Sequence, residues 1–258
     1  MRHNVLLWIL ATLTCASPVS AENRYNFSQF THETGDFFTQ PARWRGNDWL
    51  KLGLIAGGTA LVMTIDQPVR NAVLRSDHRY YRSVPIEAGR IWGDWYSSLA
   101  VAAGFSLHGW LDDNRSSKKI AFELIQADLY SQTVTQVGKV IFGRARPYQG
   151  QGAFSYRPLN FGGIGFQSLP GGHNTEGWAM STVLSRNAHS KFLKILAYSP
   201  ALLTFVSRIY QDKHWTSDCV LGAAIGVTVG TWVVNQHEKK ETGAVVSSIY
   251  PLTVRIRF

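Results

Sequence analysis

The sequence predicts an all-α protein: a bundle of about six helices, embedded in or associated with a membrane, with a short β-like C-terminal tail. Apolar or amphipathic stretches of helical length recur along the 258 residues, of which 45% are hydrophobic. No Gly/Ser/Pro-rich linker and no repeat of fixed period divides them. One domain is therefore the simplest organisation for a chain of this length.

The expected helices occupy residues 49–66, 97–111, 119–143, 175–186, 191–210 and 218–237. Several approach the ~20 apolar residues that span a bilayer. Stretch 119–143 differs, because Glu123, Asp128 and Lys139 would be costly on a lipid-facing surface. The sequence leaves open whether the bundle is embedded or only associated. In the last stretch glycines recur every four residues, which indicates either close helix packing or glycines tolerated in a buried helix.

The first 21 residues are predicted to be a signal peptide. Arg2 and His3 precede the apolar run VLLWILATLTCA, and Val19 and Ala21 are small residues placed for cleavage before Glu22. The alternative is an uncleaved anchor helix, although the run is short for a span. Residues 22–48 are expected to form an extended cover segment, residues 49–240 the helical domain, and residues 241–258 the tail.

The formal charge of +9 favours anionic partners such as a phosphate, a lipid headgroup or an anionic membrane. No nucleic-acid-binding module is recognisable, and export argues against a nucleic-acid partner. Signal cleavage would leave Cys219 as the remaining cysteine, so no intrachain disulfide is expected. The sequence gives no oligomeric state.

Two stretches carry candidate anion ligands. Lys139 and Arg146 are seven residues apart, so they share one helical face about 10 Å apart along the axis, just before a proline. In LPGGHNTEGW, Gly171 and Gly172 form a tight turn that opens a helix at His173, and such a turn presents free backbone N–H groups to an anion. Taken alone, these features are explained by a helix C-terminus and a helix start.

A third stretch, SRIYQDKHWTSD, sets a cation, an imidazole and a carboxylate at fixed offsets. Arg208 ends one predicted helix and His214 precedes the next. Asp218 lies one turn beyond His214, so its carboxylate is expected to fix the imidazole tautomer, as a nucleophilic histidine requires. In an up-down bundle all these helix ends meet on one face, around a point suited to a tetrahedral phosphate.

The three stretches KVIFGRARP, PGGH and SRIYQDKHWTSD resemble, in order, the motifs of the type 2 phosphatidic acid phosphatase (PAP2) and vanadium haloperoxidase superfamily. The resemblance covers about residues 139–218. It implies a helical-bundle phosphatase of the bacterial envelope that works without a metal or other cofactor.

The resemblance also implies roles for individual residues. The candidate catalytic residues are His214 as nucleophile, Asp218 as the residue that orients it, and His173 as the acid that protonates the leaving group. The candidate phosphate ligands are Lys139, Arg146, Arg208, Gly171 and Gly172.

One position departs from the family pattern. The second motif usually reads Pro-Ser-Gly-His, and here Gly171 replaces the serine. Loss of a hydroxyl hydrogen bond to phosphate can cost ~10²-fold in rate, so the departure puts full activity in doubt. Ser168 is a candidate substitute.

The function expected from the sequence is hydrolysis of a phosphate monoester or pyrophosphate of an envelope lipid, through a phosphohistidine. Phosphatidic acid, phosphatidylglycerol phosphate, undecaprenyl pyrophosphate and lipid A are the candidate classes. The expected location is the cell envelope, with the site facing the periplasm. The alternatives are a broad-specificity periplasmic acid phosphatase and a binding protein whose site has degenerated at Gly171.

Overall fold

The computed structural model describes residues 23–242. The helices in chain order are α1 (Phe27–Thr39), α2 (Gly46–Met63), α3 (Asp66–Arg75), α4 (Val84–Trp92), α5 (Trp95–Leu111), α6 (Arg115–Phe142), α7 (Gly172–Asn187), α8 (Lys191–Leu196), α9 (Ser199–Tyr210) and α10 (Thr216–Thr242). Between residues 23 and 242 the chain forms no β-strand, so the all-α prediction is confirmed. The expected signal peptide, and the tail from residue 243 onward, lie outside the described residues.

Several elements differ from the sequence prediction. The cover segment expected to be extended is largely helical, since it contains α1, which Asn26 caps by accepting a hydrogen bond from the N–H of Gln29. The stretch at 191–210 is divided into α8 and α9, and Pro200 lies in the first turn of α9, where proline is tolerated. Helices α3 and α4 were not predicted, because both are short, with 10 and 9 residues.

Helices α5, α6, α7 and α10 enclose the main apolar core. Its buried members are Ala102, Leu124, Ala127, Tyr130, Ala179, Met180, Val183, Val229, Val233 and Val234. Glycines of α10 let this helix lie directly on the backbone of α7: a Cβ added at Gly226 would stand 2.3 Å from the carbonyl oxygen of Thr175. The four-residue glycine spacing therefore serves close helix packing.

The acidic residues of α6, Glu123 and Asp128, are buried in the bundle. At the end of the core nearest Thr242, the buried His237 contacts the carboxylate of Glu123 at 3.0 Å and that of Glu33 at 3.1 Å. Gln126 donates a second hydrogen bond to Glu33. These contacts join α1 to α6 and α10, and they explain how α6 carries acidic residues without exposing them to lipid.

The protein is membrane-associated. By length and composition, the segments Lys191–Tyr210 and Thr216–Glu238 can each cross a bilayer. Helices α2 and α3 are bent by 47° relative to each other, and together they would form a third span if the pair crosses the bilayer as one unit. Large apolar side chains on the outer faces of these elements are exposed, among them Trp49, Leu61 and Ile195. A lipid environment accounts for such exposure.

We expect Gly226→Ala to destabilise the protein by about 1–3 kcal/mol, because the added methyl group forces α10 away from α7. The measurement is the thermal unfolding midpoint in detergent. Gly57→Ala in α2 is the matched control, since a Cβ there meets nothing within 4 Å. That control should be neutral, or stabilising by up to about 1 kcal/mol. Equal midpoints for both variants would contradict the backbone contact.

Candidate active site

The first motif lies at the end of α6 and in the turn that follows. Lys139 is 9% exposed in the last turn of the helix. Arg146 follows in the connection to α7, where its guanidinium donates to the carbonyl oxygens of Ile164 at 3.0 Å and Lys213 at 3.3 Å. The backbone therefore fixes this guanidinium without neutralising its charge.

Arg144, between these two cations, has a different environment. Its side chain is fully buried, and it contacts the carboxylates of Asp66 and Asp218, each at 2.7 Å. Asp66 also accepts the N–H of Ser217 at 2.9 Å. This network ties the first motif to the start of α3 and to the start of α10.

The glycine turn of the second motif is wedged between α6 and α10. The N–H of Gly171 donates to the carbonyl oxygen of Asp218 at 2.9 Å. A Cβ at Gly172 would lie 3.1 Å from the ammonium nitrogen of Lys139. The free N–H groups at the start of α7 therefore lie beside a buried cation, in a position suited to an anion.

A Cβ at Gly171 would be 2.9 Å from the carbonyl oxygen of Asp218, so glycine is the residue that this close packing allows. Ser168 does not replace the missing hydroxyl, because its Oγ donates to the carboxylate of Asp218 at 2.5 Å. The departure from the family pattern thus has a steric reason.

His214 is 2% exposed and sits just before α10. Its Nδ1 lies 2.9 Å from the carbonyl oxygen of Ser168, which can only accept, so Nδ1 carries the proton and Nε2 keeps its lone pair. Burial is the main reason that the pKa of His214 falls to about 3, and the charges of Arg146 and Lys139 lower it further. The imidazole is therefore neutral at physiological pH.

Asp218 lies beside His214, but the contact differs from the expected one. Its Oδ2 is 3.7 Å from Nδ1, longer than a hydrogen bond, and it accepts the backbone N–H of Trp215 at 2.8 Å. That bond is half of a capping box at the start of α10. The carbonyl of Ser168 makes the closer contact to the ring, while Asp218 fixes the turn that carries it.

His173 opens α7 and faces Asp94, whose Oδ1 is 2.9 Å from Nε2 of the ring. Burial lowers the pKa of His173, and the Asp94 carboxylate opposes that shift. Asp94 occupies the N-cap position of α5, but its side chain makes no capping hydrogen bond there.

Lys139, Arg146 and Arg208 share one property. Lys139 and Arg208 are buried and Arg146 is partly buried, and none forms an ion pair with a carboxylate among the residues that the structure describes. Arg208 is 4% exposed and contacts the side chains of Ser207 and Gln211. A buried cation without a counter-ion is unfavourable, so the arrangement calls for an anion from outside the protein. Within the described ranges no cluster of three His, Cys, Asp or Glu side chains is arranged to hold a metal.

Sequence reasoning missed Asp66 and Arg144, interpreted Asp94 only as a helix cap, and considered Ser168 only as a substitute for the missing hydroxyl. Arg144 carried a visible signal, as a second arginine two residues before Arg146. The others gave no signal of their observed contacts, since a single Asp at a helix start, or a Ser two residues before a proline, is explained by local structure. Their role depends on contacts with residues 46 to 151 positions away in the chain.

A family model described as "PAP2 superfamily" matches residues 121–242. The chain is 32% identical over 115 residues to a lipid A 1-phosphatase of Porphyromonas gingivalis, an alignment that covers 43% of this chain and 23% of that protein. The chain thus spans less than a quarter of the length of this relative.

Among solved structures, the fold is similar to that of a transmembrane PAP2 type phosphatidylglycerolphosphate phosphatase from Bacillus subtilis. The TM-score is 0.51 at 17% identity, with 74% of this chain and 94% of that chain covered. The family model spans the whole site from Lys139 to Asp218, so this part of the chain is similar to the PAP2 superfamily.

Proposed function

We propose that the protein is a phosphatase that hydrolyses a phosphate monoester or pyrophosphate of an envelope lipid, through a phosphohistidine and without a metal. The observation that carries the proposal is the set of three cations, two buried and one partly buried, without carboxylate partners, placed around two imidazoles and a helix N-terminus. A transferring phosphoryl group supplies the negative charge that this set lacks, and fixed cations stabilise it without reorganisation.

The lipid part of the proposal rests on the surroundings of the site. Arg208 ends one apolar segment long enough to cross a bilayer, and His214 lies just before the next, so the site stands where such segments meet. The two named relatives are both phosphatases of lipids. The proposed location is the cell envelope with the site on the periplasmic side, as the predicted signal peptide suggests.

In the first step, the lone pair on Nε2 of His214 attacks phosphorus and an N–P bond forms. The bond between phosphorus and the leaving oxygen breaks, and that oxygen takes a proton from the His173 imidazolium. Lys139, Arg146, Arg208 and the N–H of Gly172 hold the phosphoryl oxygens, whereas the N–H of Gly171 is bonded to the carbonyl oxygen of Asp218. The Ser168 carbonyl keeps Nδ1 protonated throughout, and Asp218 holds the turn.

In the second step, neutral His173 takes a proton from a water molecule whose oxygen attacks phosphorus. The N–P bond breaks, inorganic phosphate leaves, and His214 returns to its neutral form. At the end of this step, His173 is again an imidazolium and His214 is again neutral, as they were before the first step.

We expect His214→Ala to lower phosphate release at least about 10³-fold, because the nucleophile is gone. The assay uses detergent-purified protein with EDTA on phosphatidic acid, phosphatidylglycerol phosphate, undecaprenyl pyrophosphate, lipid A and p-nitrophenyl phosphate. The exposed His32, whose side chain is 75% accessible, gives the control variant His32→Ala. Release from p-nitrophenyl phosphate alone would favour a broad acid phosphatase, and undiminished release by His214→Ala would rule out the phosphohistidine.

We expect kcat/KM to fall above about pH 8. Burial, helped by the nearby charge of Arg146, lowers the pKa of Lys139 to about 8. The ammonium therefore loses its charge, and its attraction for phosphate, as the pH rises through that value in the free enzyme. In Lys139→Arg, whose guanidinium stays protonated, this alkaline decline should disappear below pH ~10. The same decline in both proteins would assign it to another group.

We expect Gly171→Ser, although it restores the usual family residue, to lower the unfolding free energy by about 1–3 kcal/mol and not to raise kcat/KM. The reason is the crowding of a Cβ against the Asp218 carbonyl. Gly162→Ser is the matched control, because a Cβ at that position meets nothing within 4 Å. Increased kcat/KM with an unchanged melting midpoint would show instead that the missing hydroxyl limits the rate.

A further inference from the structure

We infer that Glu87, Arg90 and Asp94 form a fourth element of the site, which positions His173 and Arg208 for the reaction. The inference rests on the proposed function. These three residues lie in α4 and at the start of α5, outside all three motifs. Glu87, Arg90 and Asp94 are spaced three and four residues apart, so they lie along one side of the corner between α4 and α5.

The corner between α4 and α5 is in direct contact with the start of α7. A Cβ at Gly93 would lie 2.6 Å from the carbonyl oxygen of His173 and 2.8 Å from its Cβ. The backbone of the corner therefore touches the backbone of the candidate acid, and this approach places the next residue, Asp94, at the imidazole.

The carboxylate of Asp94 uses both oxygens. Oδ1 lies 2.9 Å from Nε2 of His173, and Oδ2 accepts hydrogen bonds from Nη1 of Arg90 at 2.9 Å and from the hydroxyl of Tyr96. The second oxygen thus holds the carboxylate in place while the first meets the ring. The same residue leaves the first turn of its own helix uncapped by its side chain.

The contacts continue from Arg90 to the third motif. Nε of Arg90 donates to Glu87 at 2.6 Å, and the other oxygen of Glu87 accepts from the side chain of Gln211 at 2.9 Å. The amide oxygen of Gln211 accepts from Nη2 of Arg208. An unbroken series of side-chain contacts therefore joins the candidate acid to one of the candidate phosphate ligands.

This series has a direct chemical effect on His173. A carboxylate on Nε2 stabilises the imidazolium and fixes the ring plane, so that the N–H on Nδ1 can donate its proton to the leaving oxygen. Asp94 thereby opposes the lowering of the His173 pKa by burial, and it favours the protonated ring that an alkoxide leaving group needs. Asp94 touches neither substrate nor phosphorus, so it is a positioning residue.

The experiment compares Asp94→Asn with wild type on two substrates, dioctanoyl phosphatidic acid and p-nitrophenyl phosphate. An alkoxide requires protonation as it leaves, whereas nitrophenolate leaves as an anion. We expect kcat for the lipid to fall about 10–100-fold with KM little changed, and kcat for p-nitrophenyl phosphate to change less than about threefold. The double variant with His173→Ala should be no slower than His173→Ala alone.

The matched control is Asp112→Asn, at the other end of α5. Asp112 also pairs with a histidine, His108, at 3.3 Å, but both side chains are more than half exposed. The Asp112→Asn variant should leave kcat unchanged for both substrates. Should Asp94→Asn fail to fold, the same comparison is made with Asp94→Ser.

Equal losses on both substrates would reduce Asp94 to a structural role and overturn the inference, while the phosphatase function would stand. A double variant of Asp94→Asn and His173→Ala that is slower than His173→Ala alone would also overturn the inference, while the phosphatase function would stand. Inactivity of the wild type on both substrates would instead overturn the proposed function itself.

Discussion

The site depends on one buried guanidinium. Arg144 lies between Asp66 and Asp218 with no exposure to solvent, and it donates further to the carbonyl oxygen of Ala153. Removing one partner of such a buried pair typically costs about 3–5 kcal/mol, because the other charges are left without compensation. This contact joins the end of α6 to the starts of α3 and α10. Through Asp218, it also anchors the turn that carries His214.

The remaining cations show the opposite arrangement. Arg144 is neutralised by two carboxylates, whereas Lys139, Arg146 and Arg208 are held by backbone and amide groups that leave their charge intact. A site of this kind is preorganised: its dipoles and charges are in place before the ligand arrives. The neutral His214 fits this arrangement, since the surrounding positive charge and burial both keep its proton affinity low.

Much of the site was predictable because its residues stand at helix ends with fixed spacing. The offsets around Lys139, His173 and His214 place them where helices of an antiparallel bundle begin and end, and the structure brings them together. The contact between Asp218 and His214 was predicted less well, because the sequence showed a one-turn spacing but not the competing N–H of Trp215. The carbonyl of Ser168, which makes the close contact, carries no sequence signal.

The parts of the fold that sequence reasoning missed have a common physical cause. Helix α1 is amphipathic and short, and it is stabilised by Glu33 meeting His237 across 204 positions of the chain. The corner at Gly93 and Asp94 acquires its role only when α7 packs on it. Local patterns describe which residues prefer a helix, whereas these features depend on what each helix touches.

The contact between α7 and α10 bears on how this protein can diversify. Two helices whose backbones touch behave as one rigid body, and His173 and His214 stand at the starts of these two helices. Replacing side chains elsewhere in the bundle will therefore leave the separation of the two imidazoles nearly unchanged. Sequence variation has more freedom in the surface connection between α6 and α7, where Phe154, Phe161 and Ile164 are exposed. Substitutions of these exposed side chains can therefore change the surface beside the site without moving α7 against α10.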